Sequence, residues 1–133
     1  MKMVRLAVVM FIALLFGVPN FVNGQNQSPE IFTVVEETPS FVGGQTAMYQ
    51  FLSKNLKYPE VALEANTQGT VYISFIVEVD GTISNATIKR DIGNGCGVEA
   101  LRVVKLMPKW NPGKQKGKAV RTQFVLPVTF KLN

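Results

Sequence analysis

The chain has no histidine and one cysteine, Cys96, and no acidic residue follows Glu99. Without histidine, the usual Ser-His-Asp and Cys-His arrangements are excluded. A lone thiol and scattered carboxylates also exclude most transition-metal sites. Serine, lysine and tyrosine remain, but no spacing sets them as a nucleophile beside its base. An enzyme is therefore not expected, and no catalytic, cofactor or metal site is assigned. A single cysteine cannot form an intrachain disulfide; in an oxidising compartment Cys96 is either buried and inert or able to cross-link two chains.

Long apolar runs are scarce as well. The one at the start, Leu6–Val18, has 13 residues, whereas a spanning helix needs about 20. Lys2 and Arg5 precede it and the small-residue stretch Val22-Asn23-Gly24 follows, so residues 1–24 read as a secretory signal cleaved after Gly24. An uncleaved inner-membrane anchor, with the domain facing the periplasm, is the alternative. No cysteine stands near that site, so a lipoprotein-type anchor is not expected. Residues 25–38 then form an arm or linker, and residues 39–133 one exported domain able to bury a modest core.

The missing acids give the charge its shape. Residues 25–99 hold four basic groups against all nine acids, a balance of −5, while residues 100–133 hold eight basic groups and no acid. Such a face attracts an acidic partner, an anionic envelope polymer or nucleic acid, or is a solvated surface that keeps a sheet edge from aggregating. The adjacent Glu36 and Glu37 point to opposite faces of an extended segment, so they read as solubilising charges rather than an acid–base pair.

What is present is periodic. Ile31 to Val35 is β-prone and fits a leading strand or an extended arm. Met48, Phe51, Leu52 and Leu56 mark one stripe of a helix over Gln45–Leu56. Tyr58-Pro59 ends it and opens a short second helix over Pro59–Asn66. Val71, Ile73, Phe75, Val77 and Val79 alternate with Tyr72, Ser74, Ile76 and Glu78 in a half-buried strand over Gly69–Val79. Asp80-Gly81 fits a two-residue hairpin turn, so Thr82–Ile92 should return antiparallel, with a bulge near Ser84 or Asn85 where the apolar phase shifts. Gly93-Asn94-Gly95-Cys96-Gly97 lacks the glycine fingerprint of a phosphate cradle and reads as a flexible crossover. A third helix over Val98–Met107 turns Val98, Leu101 and Val104 inward and stops at Pro108.

Trp110 lies between two turn prolines. It either covers one end of the core while its N–H finds a partner, or offers a stacking platform to a sugar or base. The closing strand, Ala119–Leu132, is apolar at its even positions. Pro127 in its middle marks a sheet edge. Backbone groups alternate along a strand, so Arg121, Gln123, Val125, Thr129 and Lys131 should present theirs on the side where Pro127 lacks an N–H. An open edge accepts another chain.

Pro39-Ser40-Phe41-Val42-Gly43-Gly44, Tyr58-Pro59, Gly69-Thr70-Val71, Asp80-Gly81, Glu99-Ala100-Leu101, Met107-Pro108-Lys109-Trp110-Asn111-Pro112-Gly113-Lys114 with Gln115, Gly117, Lys118 and Val120, and Pro127-Val128-Thr129-Phe130 together resemble the TonB C-terminal domain, in a spelling common in Bacteroidota. The likeness covers about residues 36–133. It implies an α+β fold with two N-terminal helices, a β-hairpin, a helix and a C-terminal edge strand, the strands forming a three-stranded antiparallel sheet packed by helices. It also implies a periplasmic, non-enzymatic module. Such modules hand energy from an inner-membrane motor complex to outer-membrane receptors by pairing their last strand with the receptor's TonB box, which is β-augmentation. Carried onto this sequence, the partner-binding residues are Lys57, in the position of a polar contact residue, and Arg121, Gln123, Val125, Thr129 and Lys131 on the last strand. A full transducer has an anchor helix and a long proline-rich spacer. The fifteen residues Gln25–Pro39 reach at most about 50 Å, so force transmission to a motor complex by this chain alone is not expected.

Two other readings stay open at this stage. A secreted structural or regulatory domain could self-associate as a homodimer through the same edge. An electrostatic binder could use Lys105, Lys109, Lys114, Lys116, Lys118 and Arg121 on an anionic polymer. Nucleic acid is not an expected partner.

Overall fold

Alternating apolar residues set the two long strands of the fold. A computed structural model describes residues 30–133; the expected signal segment lies outside the described residues. In chain order the elements are β1 (Ile31–Phe32), β2 (Ser40–Phe41), α1 (Gly44–Asn55), α2 (Glu60–Glu64), β3 (Gly69–Val77), β4 (Ile83–Arg90), α3 (Cys96–Lys105), β5 (Trp110–Asn111), β6 (Gly113–Gln115) and β7 (Lys118–Phe130). Among the described residues no helix is long and apolar enough to cross a membrane.

The expected α+β architecture forms, with three helices and an antiparallel β7-β3-β4 sheet at its centre. β3 and β7 pair without interruption over nine positions, from Gly69 opposite Phe130 to Val77 opposite Thr122. Their inward faces, Val71, Ile73, Phe75 and Val77 on one strand and Leu126, Val128 and Phe130 on the other, meet Ala62 of α2 and Ala100 and Val104 of α3 in one core. Each large side chain fully buried there contributes roughly 1.5–3 kcal/mol. Trp110 closes one end of the core, with its ring edge-on to Phe41, Phe75 and Phe124 at centroid distances of 5.8, 5.3 and 5.1 Å.

The predicted bulge is where the phase shift put it. Ser74 stands opposite Thr87 and Ile76 opposite Ser84, so β4 carries an extra residue, and Asn85 takes a left-handed φ of 51°. The two-residue turn is not what forms. Glu78 and Thr82 close a three-residue loop, Val79-Asp80-Gly81, through the hydrogen bond Glu78 N–H to Thr82 O at 2.8 Å. Asp80 Oδ1 then accepts from both the Thr82 N–H (3.0 Å) and its hydroxyl (2.7 Å), which fastens the loop from inside. Val79, expected on the inward face, lies in that loop and is exposed.

α3 also differs from expectation. Asp91 Oδ1 accepts hydrogen bonds from the N–H groups of Ile92, Gly93 and Gly97 at 2.7, 2.9 and 2.9 Å. The helix therefore starts at Cys96 rather than Val98, and its inward stripe becomes Cys96, Ala100, Val103 and Val104, with Val98 68 % exposed. The glycine loop before it is tied down by the chain's own carboxylate.

Candidate functional site

The last strand is not an edge along its whole length. β7 lies second in the order β1-β7-β3-β4: β1 runs parallel to it, with Ile31 opposite Arg121 and Phe32 opposite Thr122. β6 pairs with residues 118–120 through the two-residue turn Lys116-Gly117, whose φ values of 52° and 78° are those of a tight hairpin. From Gln123 to Phe130 no strand other than β3 pairs with β7 among the described residues.

Pro127 stands opposite Tyr72 in an unbroken ladder. A proline fits there only if its nitrogen faces away from β3. Alternation then turns the backbone groups of Arg121, Gln123, Val125 and Thr129 to the same outer side. β1 meets that side at Arg121, which leaves Val125 and Thr129 at its centre. Lys131 lies beyond the end of β7. The expectation of an edge strand over Ala119–Leu132 is thus corrected to a shorter edge, starting at Gln123.

The side chains of these residues serve the domain's own sheet. Arg121 Nε donates to Glu78 Oε1 at 2.8 Å and Nη2 to Oε2 at 3.2 Å. Gln123 Nε2 donates to Ser74 Oγ at 3.1 Å, and the Thr129 and Thr70 hydroxyls are 3.3 Å apart. Cross-strand bonds of this kind stabilise the sheet through its side chains and do not use the outer backbone groups of the strand. The Arg121 guanidinium, and after it the Ser84 hydroxyl, holds the Glu78 carboxyl below its ordinary range against a partial opposing push from burial. Val125 lines a shallow depression on the open sheet face with Tyr72, Lys89 and Arg90.

Sequence reasoning missed the cleft beside the edge. Tyr49, Leu52, Ser53 and Leu56 of α1 and its C-terminal cap face Pro127, Val128 and Thr129 across a cleft of about 320 Å³. The i, i+3, i+7 spacing of Tyr49, Leu52 and Leu56 was a usable signal: it marks a second apolar stripe beside the core stripe of Met48 and Phe51. Lys57 follows Leu56 directly, and its side chain is exposed while its N–H donates to Glu99 Oε2 at 2.7 Å. The basic residues do not form one committed site. Lys105 and Lys109 line a separate cleft against the β4 bulge, and Arg121 is engaged by Glu78.

Glu36, expected as a solubilising charge, has a structural task. Its Oε1 accepts from the Lys116 N–H at 2.7 Å and its own N–H donates to Gln115 Oε1 at 3.0 Å. Glu37 exchanges two backbone bonds with Lys114, at 3.0 and 2.9 Å. The indole N–H of Trp110, expected to find a partner, has none among the described residues.

A comparison with curated proteins gives no match. Among solved structures, the chain is similar to the solution structure of the Helicobacter pylori TonB C-terminal domain, residues 179–285, at 22% identity over 66% of this chain and 79% of that one, with a TM-score of 0.47. A shorter form of the same domain, residues 194–285, matches at 20% identity over 65% of this chain and 90% of that one, also with a TM-score of 0.47. Residues 54–132, more than half of the chain, match the family described as Gram-negative bacterial TonB protein C-terminal. The chain belongs to that family.

Proposed function

We propose that this chain is a periplasmic protein-binding module that captures an extended segment of an outer-membrane receptor, of the TonB-box kind, by strand addition to the outer edge of β7, in the service of energised nutrient uptake. The observation that carries this reading is the edge from Gln123 to Phe130, which no second strand covers among the described residues and which runs beside the cleft of Tyr49, Leu52 and Leu56. Main-chain hydrogen bonds supply affinity in such a mode, and pockets for alternate side chains supply selectivity. Val125 and Thr129 offer the backbone groups, and the cleft takes the side chains that the incoming strand turns toward α1. Lys57, next to Leu56, and Lys131, past the strand's end, flank the same edge as charged contacts. No catalytic role is proposed.

Titration calorimetry of the chain against TonB-box peptides tests this. Saturable binding that Val125→Pro abolishes is expected, because proline at 125 removes an outward N–H and leaves the β3 ladder intact. A stable dimer that binds no peptide would overturn the reading in favour of self-association. Binding of a polyanion alone, lost as salt rises, would overturn it in favour of electrostatic capture.

A further inference from the structure

The outer edge of β7 already holds a strand at one end. β1 lies parallel on Arg121 and Thr122, and the chain is fastened again at Glu36 and Glu37, against the Lys116 turn and β6. The two attachments differ in strength. The second consists of four hydrogen bonds, two of them in a backbone pair with Lys114. The first is a two-residue ladder with partial burial: Phe32 is half-buried, Ile31 is 41 % exposed, and Val34, between the two attachments, is 83 % exposed. Short, solvated pairings of this kind open at low free energy while the rest of a domain stays folded. A tether of three residues, Thr33–Val35, nevertheless keeps β1 at an effective concentration near its edge of about millimolar or above.

We infer that β1 is a resident occupant of the partner edge, a piece of the chain's own arm that a long incoming strand must displace at Arg121 and a short one need not touch. This rests on the reading of the β7 edge as the partner site. Glu36 and Glu37 act as the hinge post, so β1 swings away without loosening β6. The arm thereby sets a length requirement: a segment confined to Val125–Thr129 binds beside β1, while one that extends to Arg121 gains more backbone bonds but competes with it.

The test is calorimetry of the whole chain and its Phe32→Pro variant with two synthetic TonB-box peptides, one of about five residues and one of about ten, enough at 3.3 Å per residue to pass Arg121. Proline at 32 removes a β1 donor together with the half-buried Phe32 ring, which is not part of the core cluster. The long peptide is expected to bind the variant roughly 3- to 10-fold more tightly, as for an edge occupied most of the time, and the short peptide equally well to both. Amide exchange at Arg121 in the peptide-free chain should be slower than in the variant. Equal affinity of the long peptide for both chains, or equal exchange at Arg121, overturns the arm's role and leaves the edge reading standing. If neither peptide binds either chain, the edge reading falls and the inference falls with it.

Discussion

Arg121 and Glu78 form a two-point ion pair that bridges β7 and the end of β3, with Nε–Oε1 at 2.8 Å and Nη2–Oε2 at 3.2 Å. Ser84 donates its hydroxyl to the same carboxylate from β4, so one acidic group ties three consecutive strands together on the open face of the sheet. The pair uses the Arg121 side chain and leaves its backbone to β1. It lies at the end of the β3–β7 ladder, where β1 joins the outer side of β7.

Stability should fall at acid pH through Glu78. The Arg121 hydrogen bond, then the Ser84 bond, lowers the carboxyl's folded pKa below the unfolded value of about 4.3. A depressed acid stabilises the fold fully above the unfolded pKa and loses that contribution as pH falls through the folded one. Urea denaturation at neutral pH should find Glu78→Gln less stable than the parent, and the gap should narrow as pH is lowered from about 4.3 to about 3. A gap that persists unchanged at that pH would remove the ion pair as its cause.

The cleft makes a separate prediction for Tyr49. It is 58 % exposed and makes one side-chain hydrogen bond, from Gln45 Nε2 at 3.2 Å, so Tyr49→Ala should change folding stability by no more than about 0.5 kcal/mol. Aromatic anchors at a binding surface weaken association by about 1–2 kcal/mol when truncated. The variant should bind a TonB-box peptide roughly tenfold more weakly at unchanged urea midpoint. Unchanged affinity would mean that the partner strand passes the cleft by.

The parts of the fold that could be read in advance are those that repeat. β3 and β7 are half-buried strands, so burial writes a period of two into Val71–Val77 and Thr122–Phe130, and an inserted residue at Asn85 appears as a phase slip. Pro127 likewise disclosed which side of β7 lacks a donor. β1 could be read only as a β-prone stretch, a leading strand or an extended arm; its pairing with β7 left no trace, because two residues cannot show a period and their partner lies some ninety positions away in the sequence. The start of α3 escaped because a side chain outside the helix, Asp91, takes the Gly97 N–H and rotates the inward stripe. The cleft required α1 and β7 to be placed together, which no local pattern encodes.

Gly81 couples the β3–β4 turn to Trp110. Its φ is 89°, and a Cβ there would lie 2.2 Å from the Trp110 carbonyl oxygen, while the Trp110 N–H donates to Gly81 O at 2.8 Å. Gly81→Ala must accept left-handed backbone strain of about 1–2 kcal/mol and also push β5 away. The expected loss is roughly 2–4 kcal/mol in urea denaturation, against less than about 0.5 kcal/mol for Val79→Ala in the same turn. Equal losses for the two would show that the turn is not braced on Trp110.

Trp110 is 3 % exposed and its indole N–H has no partner among the described residues, so its worth to the fold is its ring and not its polar atom. Removing the whole ring by Trp110→Ala should destabilise by about 3–5 kcal/mol. Trp110→Phe keeps edge-on contacts with Phe41, Phe75 and Phe124 and removes a buried donor that lacks an acceptor, which offsets part of the lost area. Its loss should be only about 1–2 kcal/mol. Because Trp110 is the single tryptophan, the phenylalanine variant is followed by circular dichroism and the parent by fluorescence as well, with a blue-shifted emission that moves red on unfolding. A Trp110→Phe loss as large as that of Trp110→Ala would mean that the N–H is hydrogen-bonded after all, through an ordered water, and that the end of the core is held by a polar contact.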